Sequence, residues 1–159
     1  MFREMRRKKR AISQEQARAL LKTERRGVLA VNGEDGYPFA FPINYLYDED
    51  ANKIYFHGAK QGLKVESLAK SDKVCFTVMG NERCEPGEEW APYVQSAVVY
   101  GRCKVIEDAC AFAPIVRRFA LRYYPSEEEV DKEIAQALKA MALFEIDIEN
   151  ISGKEIQEK

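Results

Sequence analysis

Tyr37-Pro38-Phe39-Ala40-Phe41-Pro42-Ile43-Asn44-Tyr45-Leu46-Tyr47 alternates two kinds of side chain. The odd positions, Tyr37, Phe39, Phe41, Ile43, Tyr45 and Tyr47, are all bulky, whereas Pro38, Ala40, Pro42 and Asn44 are small or short. Successive side chains of a strand point to opposite faces, so one face packs a core and the other leaves room for something flat. Pro38 and Pro42 also lack the N–H that a sheet ladder needs, which predicts an edge-like or interrupted stretch.

The flanking sequence keeps the same period. Gly27-Val28-Leu29-Ala30-Val31 reads as a buried strand, and Asn32-Gly33-Glu34-Asp35-Gly36 as the turn joining it to the next. Further strands are expected over Lys53–His57, Lys73–Met79, Ser96–Ile106 and Ala142–Ile148. Helical signals separate them. Ser13 and Gln16 form a capping box, with Ile12, Ala17, Leu20 and Leu21 on one stripe. A short helix follows Gly62 and ends near Ser71. Asp108 opens another that carries Phe112, Ile115, Val116, Phe119 and Tyr123, with Pro114 kinking it or restarting its first turn. Ser126 and Glu129 form a second capping box before Val130, Ile134 and Leu138. Six mostly antiparallel strands and four helices predict a single α+β domain over residues 1–159, built on a small barrel or a strongly curled sheet.

Composition narrows the function classes. The 159 residues carry 25 Lys plus Arg against 26 Asp plus Glu, so the net charge of -1 makes no overall case for nucleic acid or a membrane surface. An aromatic share of 11% is too rich for a disordered chain. No window approaches the roughly 18 apolar residues of a membrane span. Cys75, Cys84, Cys103 and Cys110 form no C-x-x-C pair, and His57, the single histidine, completes no zinc set. No metal site is expected. The opening MFREMRRKKR is basic and leads into a polar helix rather than an apolar run, so reduced thiols and a cytoplasmic location are expected. Residues 1–10 form a basic arm, read as solvated, with contact to nucleic acid as the alternative.

The chemistry gathers at Ile54-Tyr55-Phe56-His57-Gly58-Ala59-Lys60-Gln61-Gly62-Leu63-Lys64, where a strand ends and a helix opens. Gly58 and Gly62 permit close backbone approach, and exposed N–H groups at a helix start favour an anion. Lys60 and Lys64 stand at i and i+4, the spacing that puts two ammonium groups on one side of a helix, and His57 lies beside them. The segment reads as a phosphate cradle or as a solvated helix start. It has neither the Walker nor the Rossmann glycine spacing.

Gly36-Tyr37-Pro38, Pro42-Ile43-Asn44-Tyr45 and Tyr55-Phe56-His57-Gly58-Ala59, with Gly62 and Lys64, resemble the pyridoxamine 5'-phosphate oxidase-like flavoprotein superfamily, in particular its branch related to nitroimidazole-resistance proteins. Tyr93 to Gly101 is similar to that branch's next strand. The resemblance implies a split β-barrel, a homodimer and FMN in a cleft between subunits. It implies that Pro42, Ile43, Asn44 and Tyr45 border the isoalloxazine ring. By the same resemblance His57, Gly58, Ala59, Lys60 and Lys64 hold the ring edge, ribityl chain and phosphate, and Trp90, Tyr93 and Ser96 complete the cleft from the partner. The chain lacks the Arg-x-His near the C-terminus that pyridoxamine phosphate oxidation would need.

A flavin needs orientation, electronic tuning and access from its protein. His57 is the one catalytic candidate, as a proton donor to a bound acceptor or as a ring-positioning residue. The leading reading is an FMN-dependent oxidoreductase that reduces a small electron-poor compound such as a nitroaromatic. A non-catalytic flavin- or ligand-binding stress or sequestration protein is the alternative, and a nucleic-acid-associated regulator the third. A homodimer is also expected because the aromatic-rich strand and the Trp90–Tyr93 loop carry more apolar surface than one small barrel hides.

Overall fold

Ser13 starts the first helix as its spacing requires: its hydroxyl accepts from the Gln16 N–H at 3.1 Å, and the Gln16 side chain accepts from the Ser13 N–H at 2.9 Å. The computed structural model describes residues 2–84, 86–87, 90, 92–124, 126 and 141–156. In chain order the elements are β1 (Ala11–Ile12), α1 (Gln14–Thr23), β2 (Arg26–Asn32), β3 (Pro38–Asn44), β4 (Leu46–Asp48), β5 (Lys53–Ala59), α2 (Leu63–Lys70), β6 (Lys73–Arg83), β7 (Tyr93–Val105), α3 (Ala109–Tyr123) and β8 (Met141–Ile156).

All eight strands join one antiparallel sheet of order β3-β2-β6-β7-β8-β5-β4, with β1 added to β8. β8 is the spine. Its first half lies between β5 and β7, and its second half between β7 and β1. The two ends of this strand order, β3 and β4, are consecutive stretches of chain parted by Tyr45 alone. The sheet therefore curls until its edges meet in one peptide segment, which makes this an α+β split barrel. β3 pairs only with β2, so Pro38 and Pro42 sit on an edge where their missing donors leave no gap in a central ladder.

Inside the curl, α1 contributes Ala17, Leu20 and Leu21, each at most 1% exposed. They meet Leu29, Tyr45, Phe56, Phe76, Val99 and Phe144 in one cluster. The Tyr45 and Phe76 rings meet edge-on at 4.8 Å, and Phe56 stacks on Phe144 at 4.8 Å. At Gly27 an added Cβ would run into the Phe76 ring and the Thr77 carbonyl, so only glycine lets β2 lie this close to β6.

Two sequence expectations are corrected here. The strand expected over Tyr37–Tyr47 is two, because Tyr45 leaves the ladder to turn the chain from one sheet edge to the other. With β1 added, the six expected strands become eight among the described residues, and β8 runs on to Ile156. The helix expected after Ser126, over Glu129, Val130, Ile134 and Leu138, lies outside the described residues.

The break at Tyr45 exposes backbone polar groups, and α3 satisfies them. The Tyr123 hydroxyl accepts from the Tyr45 N–H at 2.9 Å and lies 2.7 Å from the Tyr45 carbonyl and 2.6 Å from that of Arg25. One hydroxyl proton serves one of the two carbonyls. Tyr123→Phe strands a part-buried N–H at the seam, so it is expected to lower stability by about 1–2 kcal/mol. Urea unfolding should show a lower midpoint at unchanged slope, and an unchanged midpoint would remove the hydroxyl from the seam.

Two adjacent rows on the outer face of the sheet are uncharged. Pro42, Val28, Thr77 and Val98 lie side by side across four strands, and Ala40, Ala30, Cys75 and Tyr100 form the next row. Val28 is 45% and Tyr100 42% exposed. The basic arm reaches the edge of this face, where Phe2 stacks on Tyr100 at 5.5 Å.

Candidate functional site

β5 alternates Ile54 and Phe56, fully buried, with Tyr55 and His57 on the opposite side. Gly58 continues the inner side, and Lys64 of α2 fills the space its missing side chain leaves. A Cβ at Gly58 would fall on the Lys64 ammonium. The ammonium lies 4.8 Å from the Phe144 ring centre, 5.5 Å from Phe56 and 5.7 Å from Phe41. Three ring faces stabilise the cation there. Among the described residues no carboxylate pairs with it and no acceptor bonds it. Burial pulls its pKa below the ordinary lysine value, against a weaker opposing effect of Cys103.

His57 faces the other way. Its ring meets Phe119 of α3 edge-on at 5.0 Å, and Phe119 stacks on Tyr123 at 5.1 Å. Burial, followed by the Lys64 charge, lowers its pKa from 6.5, so the imidazole is mostly neutral at pH 7. The two residues expected together thus sit on opposite sides of one strand end, close enough for charge to couple them. Lys60 is placed differently from the sequence expectation. α2 begins at Leu63, after Gly62 at φ 109°, so Lys60 lies in the bend before the helix and the i, i+4 argument does not apply to the pair. Lys60 stands on the rim of a largely apolar cleft of about 450 Å³ with Val65, Ile106, Phe112 and Phe144.

From the Pro42–Tyr45 stretch, Pro42 is exposed on the outer face, and Asn44 accepts from Arg26 Nε at 3.2 Å. Ile43 turns into the core. Tyr45 is fully buried and its hydroxyl donates to the Leu21 carbonyl at 2.9 Å, so its side chain belongs to the core.

Trp90, Tyr93 and Ser96 stand at the other end of the barrel. The His57 end of β8 is level with Ile106, whose N–H bonds the Leu143 carbonyl. Ser96 and Val105 are nine residue steps apart on β7, which is about 30 Å at the strand rise. Trp90 is 69% exposed, and the Tyr93 hydroxyl is held by Glu155 and Gln95 at 2.8 and 2.6 Å. Ala59 ends β5 opposite Met141.

Sequence reasoning missed the α3 contribution. Phe119 and Tyr123 read only as a helix stripe, yet they line the seam against His57 and Tyr45. Asp48, 9% exposed on β4, anchors the same helix through Arg118 at 2.6 Å. Burial alone would raise the Asp48 pKa, but the bonds from Arg118 and the Ala51 N–H outweigh it and hold the carboxyl below its ordinary value. Among the described residues no three His, Cys, Asp or Glu side chains gather as a metal site, and no helix is long and apolar enough to cross a membrane.

Residues 13–155 match the family model of pyridoxamine 5'-phosphate oxidase. The chain belongs to that family. Solved structures agree with the family's fold. A candidate 5-nitroimidazole antibiotic resistance protein from Bacteroides thetaiotaomicron superposes with a TM-score of 0.75 at 17% identity, over 92% of this chain and 87% of that one. A FAD-binding protein from Mesorhizobium loti gives 0.63 at 23% identity, over 92% and 96%. The FAD binding protein from Mycobacterium smegmatis gives 0.63 at 17%, over 93% and 98%. A comparison with curated proteins gives no match.

Proposed function

We propose that this member of the pyridoxamine 5'-phosphate oxidase family binds FMN and reduces a small electron-poor compound, a nitroaromatic being the first to try. The observation that carries the reading is Lys64: a half-buried cation with no carboxylate partner among the described residues, seated where Gly58 has no side chain. That combination fits the terminal phosphate of a flavin mononucleotide. The FAD-binding proteins of the same fold support a flavin, and the terminal-phosphate argument favours FMN among flavins. When bound, the flavin supplies a ring that takes up two electrons and passes them on. The chain's own part is to hold the phosphate near Lys64, border the ring with the short residues Pro42 and Asn44, and present His57 to the bound acceptor.

The absorbance spectrum of the purified protein tests the cofactor, with titration by FMN, FAD and riboflavin in competition. Flavin bands with FMN preferred are expected. A colourless protein that binds none of the three overturns the reading. Turnover with a reductant and candidate nitro compounds separates an enzyme from a flavin store.

A homodimer belongs to the same proposal. Within one chain the Trp90 to Ser96 end lies too far from His57 to join its site, so in this reading a second copy supplies those residues. The uncharged rows centred on Val28, Thr77 and Val98 offer the surface for it. Val28→Glu puts a charge in the middle of that surface and is expected to turn a dimer into a monomer in light scattering. A wild-type monomer that holds FMN tightly defeats the shared-cleft arrangement. The cytoplasm fits the free thiols of Cys75, Cys84 and Cys103, and burial pushes the Cys103 thiol up to about 12, which keeps it unreactive.

A further inference from the structure

Six of the chain's 25 Lys and Arg fall within residues 3–10, against one of its 26 Asp and Glu, Glu4. The net charge of -1 is thus the balance of a strongly basic arm and an acidic remainder. Such a split concentrates positive potential at one place on the surface.

The fold pins this arm at both ends. At its base Ala11 and Ile12 pair with Lys154 and Gly153 of β8, and a Cβ at Gly153 would run into Ile12, so the glycine admits β1 to the sheet. At its tip Phe2 stacks on Tyr100 at 5.5 Å. Tyr100 pairs with Asn150, so the anchors lie on either side of β8 and four residue steps apart along it. That is about 13 Å along the sheet and about 10 Å across it. The nine residue steps from Phe2 to Ala11 reach about 30 Å when extended. The arm has more chain than the gap needs, and it bows. A 3₁₀ turn at Lys8–Arg10 shapes the bow, closed by the Arg10 N–H on the Arg7 carbonyl at 2.9 Å.

The bow frames a concavity of about 600 Å³ lined by Arg6, Arg7, Lys8, Lys9 and Arg10. The first four are exposed and Arg10 is half-buried. Among the described residues the arm's one ion pair is Lys8 with Glu4 at 2.6 Å, open to solvent on both sides. Such a pair contributes little, so it does not hold the arm's charge back from an anion outside.

Five consecutive cations form a row, which a run of phosphates uses better than a single one does. A lipid surface and a nucleic acid both present such a run. Stable attachment to a bilayer takes an apolar anchor beside a basic patch. Here Phe2 is engaged with Tyr100 and Met5 is half-buried, so the arm's apolar side chains are already turned to the protein. We propose that the N-terminal arm binds the sugar–phosphate backbone of nucleic acid without reading its bases. Contacts of this kind position a protein on the nucleic acid and carry no sequence information. The acidic remainder keeps the rest of the barrel off the backbone. The inference is independent of the flavin reading.

Fluorescence anisotropy of a labelled DNA duplex of arbitrary sequence, titrated with the protein as purified, tests it. Binding is expected at about 50 mM salt, with a log–log slope against salt of about -5 for the five or six cations. A duplex of unrelated sequence should bind alike. Arg6→Gln, Arg7→Gln, Lys8→Gln and Lys9→Gln combined leave Phe2 and β1 in place, so the melting temperature should hold. The slope should fall to about -2 and the affinity by at least about ten-fold. Lys9→Gln alone should lower the slope by about one. No binding at about 100 µM protein in low salt overturns the proposal. Wild-type affinity in the combined variant overturns it too, as does preference for one duplex sequence. Co-sedimentation with phosphatidylserine vesicles in the absence of duplex binding replaces it with a membrane contact.

Discussion

His57→Ala is expected to keep the flavin and to lower acceptor reduction by about 10²–10⁴-fold, the range general-acid groups contribute. His57 is the chain's single imidazole and projects from the end of β5 on the side away from the core. Its edge-on contact with Phe119 orients the ring. Because burial and the Lys64 charge lower its pKa, the protonated form dominates only below 6.5, so a proton-donor role predicts a rate that falls as pH rises through that lowered value. The same shift makes the unfolded chain bind more protons just below pH 6.5, so His57's own contribution to stability rises with pH across that window. Stopped-flow reoxidation of reduced flavin, measured against pH beside flavin affinity, distinguishes the roles. A variant that binds flavin weakly but reoxidises it at the normal rate assigns His57 to positioning. One normal in both measurements leaves it a strand-end residue.

Lys64→Ala is expected to weaken FMN by about 10–150-fold, the equivalent of roughly 1.5–3 kcal/mol for one charge-assisted contact. The Lys64 ammonium has rings around it and no carboxylate partner among the described residues, so an arriving phosphate has no internal ion pair to break. Lys64→Met keeps a long stem over Phe56 and Phe144 and removes only the charge, and should weaken FMN as much as Lys64→Ala does. Riboflavin, which lacks the phosphate, should bind both variants and wild type alike. Equal losses for FMN and riboflavin would show that Lys64 shapes the pocket rather than meeting the phosphate.

The alternation of Tyr37 to Tyr47, the Ser13–Gln16 capping box and the glycines around Lys60 are local signals. Each depends on residues within a few positions of one another, so the sequence by itself determined six stretches of strand, α1, the glycine-flanked bend and the family's motif order, but neither β1 nor the division of β3 from β4. It also foretold β3 as an edge, because proline removes a donor wherever it stands. The break at Tyr45 was not legible, since leaving the ladder there is tolerable only because Tyr123, far along the chain, takes over its backbone bonds.

The same holds for the site. Lys64 was legible as a cation after a glycine, but whether it faces solvent, a carboxylate or three aromatic rings depends on Phe41, Phe56 and Phe144, which come from three different strands. His57 read as a neighbour of Lys64, and only the structure sets the two on opposite sides of the end of β5, with Phe119 of α3 against the imidazole. Only the tertiary structure set Tyr123 of α3 against the Tyr45 break and the Arg25 carbonyl, because the curl of the sheet and the docking of α3 are long-range events that no local pattern records.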